Sequence, residues 1–285
     1  MPAQDKRLKF TVLDRNSFFY YHRDVMSDNT VISFANVAAG YDGRDVLTDV
    51  SFNIGAGSFY FLSGASGAGK TTLLRLIYQL HKQNTGTIKL FGRATDEMTR
   101  DDVASLRQKM AIVFQEYSLL SHLTVFDNVA LPLRVRNVDD VKIKKLVTKV
   151  LEWVGLGKYA DAYPKTLSGG QQQRVSVARA IIVQPSILLA DEPTGNLDDG
   201  NASRLMELFI QMNKMFGTTI ILATHSQKIM DTYKFPIIRV ENHRVSFIGT
   251  GTAPAAPTHK KTWKGPAPQN YFAELSKQFD EIGNA

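Results

Sequence analysis

An α/β fold with a mostly parallel sheet and flanking helices is what this sequence predicts, and three observations carry the prediction. From Val31 to Phe247, apolar strand-like runs alternate with segments of helical period. The run Phe59-Tyr60-Phe61-Leu62 leads into a glycine-rich turn, Gly64-Ala65-Ser66-Gly67-Ala68-Gly69-Lys70-Thr71, and then into Leu73, Ile77 and Leu80 at helical spacing. Other apolar runs finish at chemically capable residues. Ala111-Ile112-Val113-Phe114 reaches Gln115, Ile187-Leu188-Leu189-Ala190 reaches Asp191 and Glu192, and Ile220-Ile221-Leu222-Ala223-Thr224 reaches His225. In a parallel sheet the carboxyl ends of the strands share one edge, so these scattered residues converge.

The first elements follow from local chemistry. Strand, glycine-rich turn and helix is the context in which a loop cradles phosphate. Gly64, Gly67 and Gly69 lack a Cβ, so the backbone can turn its N–H groups inward, and the helix N-terminus adds partial positive charge. Ala65, Ser66 and Ala68 complete the loop and Thr72 follows it; all are read with the glycines as nucleotide-binding positions. Lys70 reaches the β- and γ-phosphates of ATP, and the Thr71 hydroxyl is suited to ligate Mg2+. Upstream, Tyr41 in Ala38-Ala39-Gly40-Tyr41-Asp42 offers a flat apolar face on which adenine could stack.

Roles for the later strand ends follow from phosphoryl transfer to water, where positioning and charge stabilisation dominate. Asp191 is the metal-holding acid, directly or through water. Glu192, one residue beyond, is placed to take a proton from the attacking water. Gln115 both donates and accepts, so it suits the water and the metal shell. His225 contacts the γ-phosphate and orients the water, in a protonation state the sequence leaves open.

Around the core lie less informative segments. The 285 residues suffice for one large α/β domain with extensions. Residues 1–28 hold charges and the cluster Phe18-Phe19-Tyr20-Tyr21 without a clear period, and read as an N-terminal extension. The core spans residues 29–249, with a helical subdomain at about 101–175. There Val147, Val150, Leu151 and Val154 make one apolar face, with Lys144, Lys145 and Lys149 largely outside it. Residues 250–285 begin as a Pro/Ala/Gly/Thr linker, Thr250 to Pro257, and end in a tail where Phe272, Leu275, Phe279 and Ile282 share a helical face. That tail suits docking on its own domain or on a partner.

Composition narrows the function classes. The absence of cysteine excludes disulfides and thiolate metal sites and fits a reducing compartment. The start Met1-Pro2-Ala3-Gln4-Asp5-Lys6-Arg7 precedes no secretion-type apolar segment, and no run approaches the ~18 residues of a membrane span, so the chain reads as cytoplasmic. The net charge of +7 suits nucleic acid or an anionic membrane surface. Its basic residues are scattered rather than set in a stripe with aromatics, so nucleic acid is not the expected partner.

One more motif, Leu167-Ser168-Gly169-Gly170-Gln171, completes a resemblance. With Tyr41, the loop at Gly64 to Thr71, Gln115, Asp191-Glu192 and His225 in this order, residues Val31 to Gly249 resemble ABC transporter nucleotide-binding domains. The resemblance implies a P-loop NTPase of the ABC type, with an antiparallel β part near the start of the core and the signature motif carried by the helical subdomain. It implies a head-to-tail homodimer sandwiching two ATP molecules, each between one subunit's phosphate loop and the other's Ser168, Gly169, Gly170 and Gln171.

Within the family, Val113 to Leu120, Thr124 to Leu133 and Asp191 to Asp198 look like the subgroup of FtsE, LolD and MacB, with FtsE the nearest. That implies bacterial cell division, an FtsX-like integral membrane partner and a peripheral place on the cytoplasmic face of the inner membrane. An exporter ATPase of the LolD/MacB kind, or an ABC protein without a membrane partner, are the alternatives. Two departures stand out: Ser226 follows His225 where many members carry an acid, and the two extensions exceed the usual compact domain. By resemblance the loop after Gln115 receives the membrane partner, and Leu119 and Leu120 there suit either that docking surface or the core.

Overall fold

The computed structural model describes residues 29–114, 116–195 and 197–249. Sequence readings that fall on residues 1–28, Gln115, Asn196 and 250–285 lie outside the described residues. Two sheets form the frame. In the smaller, β1 (Thr30–Tyr41) pairs antiparallel with β2 (Arg44–Gly55) on one side and with β4 (Thr85–Leu90) on the other. A two-residue β5 (Arg93–Ala94) extends it past β4. The β1–β2 turn is Asp42-Gly43 with φ of 51° and 75°, the double positive φ that lets a two-residue loop match strand twist.

The larger sheet has the order β10-β9-β3-β8-β7-β6. It comprises β3 (Phe59–Ser63), β6 (Met110–Val113), β7 (Ile187–Asp191), β8 (Thr219–Ala223), β9 (Ile237–Glu241) and β10 (Arg244–Ile248). All neighbours pair in parallel except β10, which closes one edge antiparallel to β9. β6 thus returns to this sheet from within the stretch that is otherwise helical, between α2 (Arg100–Gln108) and α3 (Val125–Val135).

Continuous apolar strands make sense because both faces of the sheet are covered. Alternate residues sort cleanly between two cores. Phe59 and Phe61 of β3, Leu188 and Ala190 of β7, and Ile220 and Leu222 of β8 enter one core. That core also takes residues of α3, α4 (Asp140–Trp153), α5 (Gly169–Ile181) and α6 (Asp199–Phe216). Tyr60 and Leu62, Ile187 and Leu189, and Ile221 and Ala223 enter the other, against α1 (Lys70–Ile77) and the antiparallel sheet. In α4 the apolar face runs through Ile143, Leu146, Val147, Val150, Leu151 and Trp153, while Lys144 and Lys145 stay exposed.

Two expectations change. The helical spacing that included Leu80 overruns α1, which stops at Ile77; Gln79 takes a φ of 59° and Leu80 is exposed. A positive φ breaks the helical backbone, so Leu80 loses the face its spacing promised. The pair after Gln115 divides: Leu119 packs against the first core, whereas Leu120 is exposed.

Phe59 stacks on Phe235 at 4.0 Å and meets Phe61 edge-on. Truncating it leaves a cavity in the first core, so Phe59→Ala is expected to cost about 3–5 kcal/mol in urea denaturation. Leu80→Ala, in the same assay, should change stability by no more than about 0.5 kcal/mol.

Candidate functional site

The site begins where β3 stops. Its chain turns through Gly64 to Gly69 into α1, and two glycines have no substitute there. A Cβ on Gly64 would lie 2.4 Å from the Val240 carbonyl oxygen, and Gly69 starts α1 with a φ of 111°. Gly69 has no side chain to cap the helix, which leaves the first-turn N–H groups without a side-chain cap. Lys70 is buried at 7% exposure, and its Nζ donates to the carbonyls of Gly64 at 2.9 Å and Ala65 at 3.1 Å. Ala65, Ser66 and Gly67 form the exposed tip of the loop, with Ala68 half-buried behind it and Thr72 buried in α1.

Register brings the other strand ends alongside. Leu62 pairs with Ala223 and Ala223 with Asp191, so β3, β8 and β7 finish together. Thr71 Oγ1 donates to Asp191 Oδ2 at 2.8 Å, tying α1 to the end of β7. Burial pushes the Asp191 carboxyl above its ordinary pKa; the Thr71 hydrogen bond opposes that rise and neighbouring Glu192 adds to it.

Glu192 takes a φ of 47° and its N–H donates to the Ala223 carbonyl at 3.0 Å, a sharp turn that swings its side chain out of the strand line. There Glu192 Oε2 lies 2.9 Å from His225 Nδ1, the imidazole donating to the carboxylate. A non-glycine residue held at positive φ marks a place where the fold overrides local preference.

Other predicted residues make their contacts with different partners. Ser168 caps α5: Gln171 N donates to its Oγ at 3.4 Å and Ser168 N donates to Gln171 Oε1 at 2.8 Å, a complete capping box. A Cβ on Gly169 would come within 2.9 Å of the Tyr117 hydroxyl, and one on Gly170 within 3.2 Å of Leu197. Lys70, Thr71, Asp191, Glu192 and His225 therefore form one group, and Ser168 to Gln171 have different neighbours. Gln115 lies outside the described residues. Tyr41 ends β1 with its ring stacked on His81 at 4.4 Å.

Sequence reasoning passed over His81, Tyr117 and Arg179. The Arg179 guanidinium donates to the carbonyls of Ser118 at 2.9 Å and Tyr117 at 3.2 Å, fastening the segment after Gln115 to α5. None of the three lies in a periodic or glycine-rich pattern, so no local signal marks them.

Comparison with known proteins decides the family. The ABC transporter family matches residues 47–195. This chain belongs to the ABC transporter ATPases. An FtsE cell division ATP-binding protein of Streptococcus pneumoniae is 40% identical over 217 residues, covering 76% of this chain and 94% of that protein. Its Escherichia coli K12 counterpart is 38% identical, over 74% of this chain and 96% of that one. The methionine import ATP-binding protein MetN of Legionella pneumophila is 38% identical over 70% of this chain but only 59% of its own length. Among solved structures, the ATP-binding cassette MJ0796, a dimer in a post-hydrolysis state with ADP and Pi, aligns with a TM-score of 0.69 at 32% identity. It covers 75% of this chain and 96% of that chain. The ABC cassette fold is thus the fold observed, and ATP is its nucleotide.

The groups present fit Mg-ATP. A lysine held in a glycine loop at a helix N-terminus is a phosphate cradle. A hydroxyl and a carboxylate sharing one hydrogen bond, Thr71 with Asp191, are the oxygen donors a hard cation takes.

The raised pKa of Asp191 has a stability consequence with a definite sign. Above both its folded and unfolded pKa the residue is charged in both states, and burying that charge disfavours folding; below both it is neutral and the penalty is gone. Asp191→Asn keeps an acceptor for Thr71 and removes the buried charge. It should raise Tm at pH 7 to 8, lose that advantage as the pH falls through the carboxylate range, and abolish Mg-dependent ATPase activity. Calorimetry across pH beside a phosphate-release assay checks both halves.

Proposed function

We propose that this chain is the ATP-hydrolysing subunit of an FtsEX-type complex in bacterial cell division, acting at the cytoplasmic face of the inner membrane through an FtsX-like integral membrane partner. The observation that carries it is coverage. The chain spans 94% and 96% of two FtsE proteins but only 59% of the MetN protein that it matches at similar identity. The longer alignment, 217 residues against 200, favours the division subunit over the importer. Among the described residues no helix is long and apolar enough to cross a membrane, as a cassette that works through a separate membrane protein requires.

The proposed chemistry assigns each group one task. Lys70 and the N–H groups of Gly64 to Thr71 hold the phosphates, and Tyr41 stacks on adenine. Thr71, Asp191 and Gln115 would hold Mg2+, which supplies charge neutralisation at the transferred phosphoryl group. Glu192 accepts the proton of the attacking water, and His225, hydrogen-bonded to Glu192 at 2.9 Å, orients that water and contacts the γ-phosphate. One copy's Ser168, Gly169, Gly170 and Gln171 close over nucleotide held by the other in a head-to-tail homodimer. The signature's contacts favour this reading, since Gly169 and Gly170 lie against Tyr117 and Leu197 rather than against the phosphate loop.

Three variants separate the tasks. Glu192→Gln should lower turnover by about a hundredfold or more while ATP and Mg2+ drive the protein to a dimer on a sizing column. A monomeric elution would count against the sandwich. Lys70→Ala should lose about a hundredfold in turnover through missing charge stabilisation. Ser168→Arg should keep ATP binding and elute as a monomer. Purifying the native complex tests the biological assignment: an FtsX-like partner supports it, and a LolC/LolE-like pair, an importer permease or ribosomes would replace it.

A further inference from the structure

We infer that His81 is a positioning residue for nucleotide recognition: its imidazole backs one face of Tyr41, so that the opposite face is presented, already ordered, to the adenine base. The inference rests on the proposed stacking of Tyr41 on the base and adds a residue to that site.

The geometry is specific. The rings of Tyr41 and His81 lie 4.4 Å apart and 22° from parallel, yet Tyr41 remains 40% exposed. His81 thus covers one face, while much of Tyr41 stays open to solvent. His81 is itself fixed at both ends. Its backbone N–H donates to the Arg75 carbonyl at 3.3 Å, and its Nε2 lies 2.9 Å from the Gly40 carbonyl and donates to it. Gly40 packs close against β2, where a Cβ would sit 1.9 Å from the Arg44 carbonyl oxygen, so no side chain fits at that position.

A second tie lies three residues on. Asn84 N donates to the Ala38 carbonyl at 2.7 Å, and Asn84 Nδ2 donates to Asp45 Oδ1 at 2.9 Å. The connection leaving α1 thus grips the hairpin that carries Tyr41 on both strands. Since α1 begins with Lys70 and Thr71, one short segment couples the phosphate cradle to the base platform and sets their separation. Without the imidazole, the Tyr41 ring is free to rotate, and ordering an exposed side chain on binding costs about 0.5–1.5 kcal/mol.

The test compares ATP with tripolyphosphate, which fills the phosphate cradle and has no base, using the full chain. Wild type should bind ATP more tightly than tripolyphosphate. His81→Ala should weaken ATP binding and raise KM by about three- to tenfold, leave kcat unchanged and leave tripolyphosphate binding as in wild type. His81→Phe, which keeps a ring and loses the hydrogen bond to Gly40, should recover most of the loss. In a double-mutant cycle, His81→Ala should add nothing to Tyr41→Ala.

Wild-type ATP affinity in His81→Ala, an equal loss for tripolyphosphate, no recovery with phenylalanine, or additive losses in the cycle would each overturn the role of His81. Failure of the underlying reading looks different: Tyr41→Ala would then bind ATP as wild type does, or wild type would not distinguish ATP from tripolyphosphate.

Discussion

The site exists because β3, β8 and β7 run parallel and in register, so that Leu62, Ala223 and Asp191 end side by side and the loops that follow them share one edge. Everything else at the site is an elaboration of that edge. Gly64 to Gly69 turn the chain from β3 into α1, Glu192 leaves β7 with a left-handed backbone, and His225 follows β8. Thr71 and His225 reach their partners across the edge, whereas Lys70 folds back onto its own loop. The Thr71–Asp191 and His225–Glu192 hydrogen bonds, at 2.8 and 2.9 Å, are where that alignment becomes chemistry.

Charge and burial pull against each other on the same edge. The sheet is covered on both faces, which explains its continuous apolar strands and also forces Asp191 into surroundings that raise its pKa. A carboxylate in that position disfavours folding. The strained turn at Glu192 has the same logic, since a backbone-favoured conformation there would keep the side chain in the strand line and away from His225.

The signature residues illustrate how one sequence motif serves two ends. Within the chain, Ser168 and Gln171 form a capping box that starts α5, which is sufficient reason for their identities as far as the monomer goes. Gly169 and Gly170 gain their reason from close neighbours, the Tyr117 hydroxyl and Leu197. Arg179, farther along the same helix, fastens the backbone of Tyr117 and Ser118. In the proposed dimer, a signature that is rigid on its own subunit is what a second copy's nucleotide would meet.

Much was legible before any coordinate was known, and for a local reason. The α/β class, the phosphate loop, the strands ending at Asp191, Glu192 and His225, and the apolar face of α4 each arise from residues a few positions apart, where alternation, helical period and glycine act directly. What the sequence could not supply depended on which strands lie side by side. The end of α1 before Leu80, the separate fates of Leu119 and Leu120, the seat of His81 on Tyr41 and the grip of Arg179 on Tyr117 and Ser118 have no local signal. They are contacts between segments distant in the chain, and only tertiary packing decides which of those segments meet.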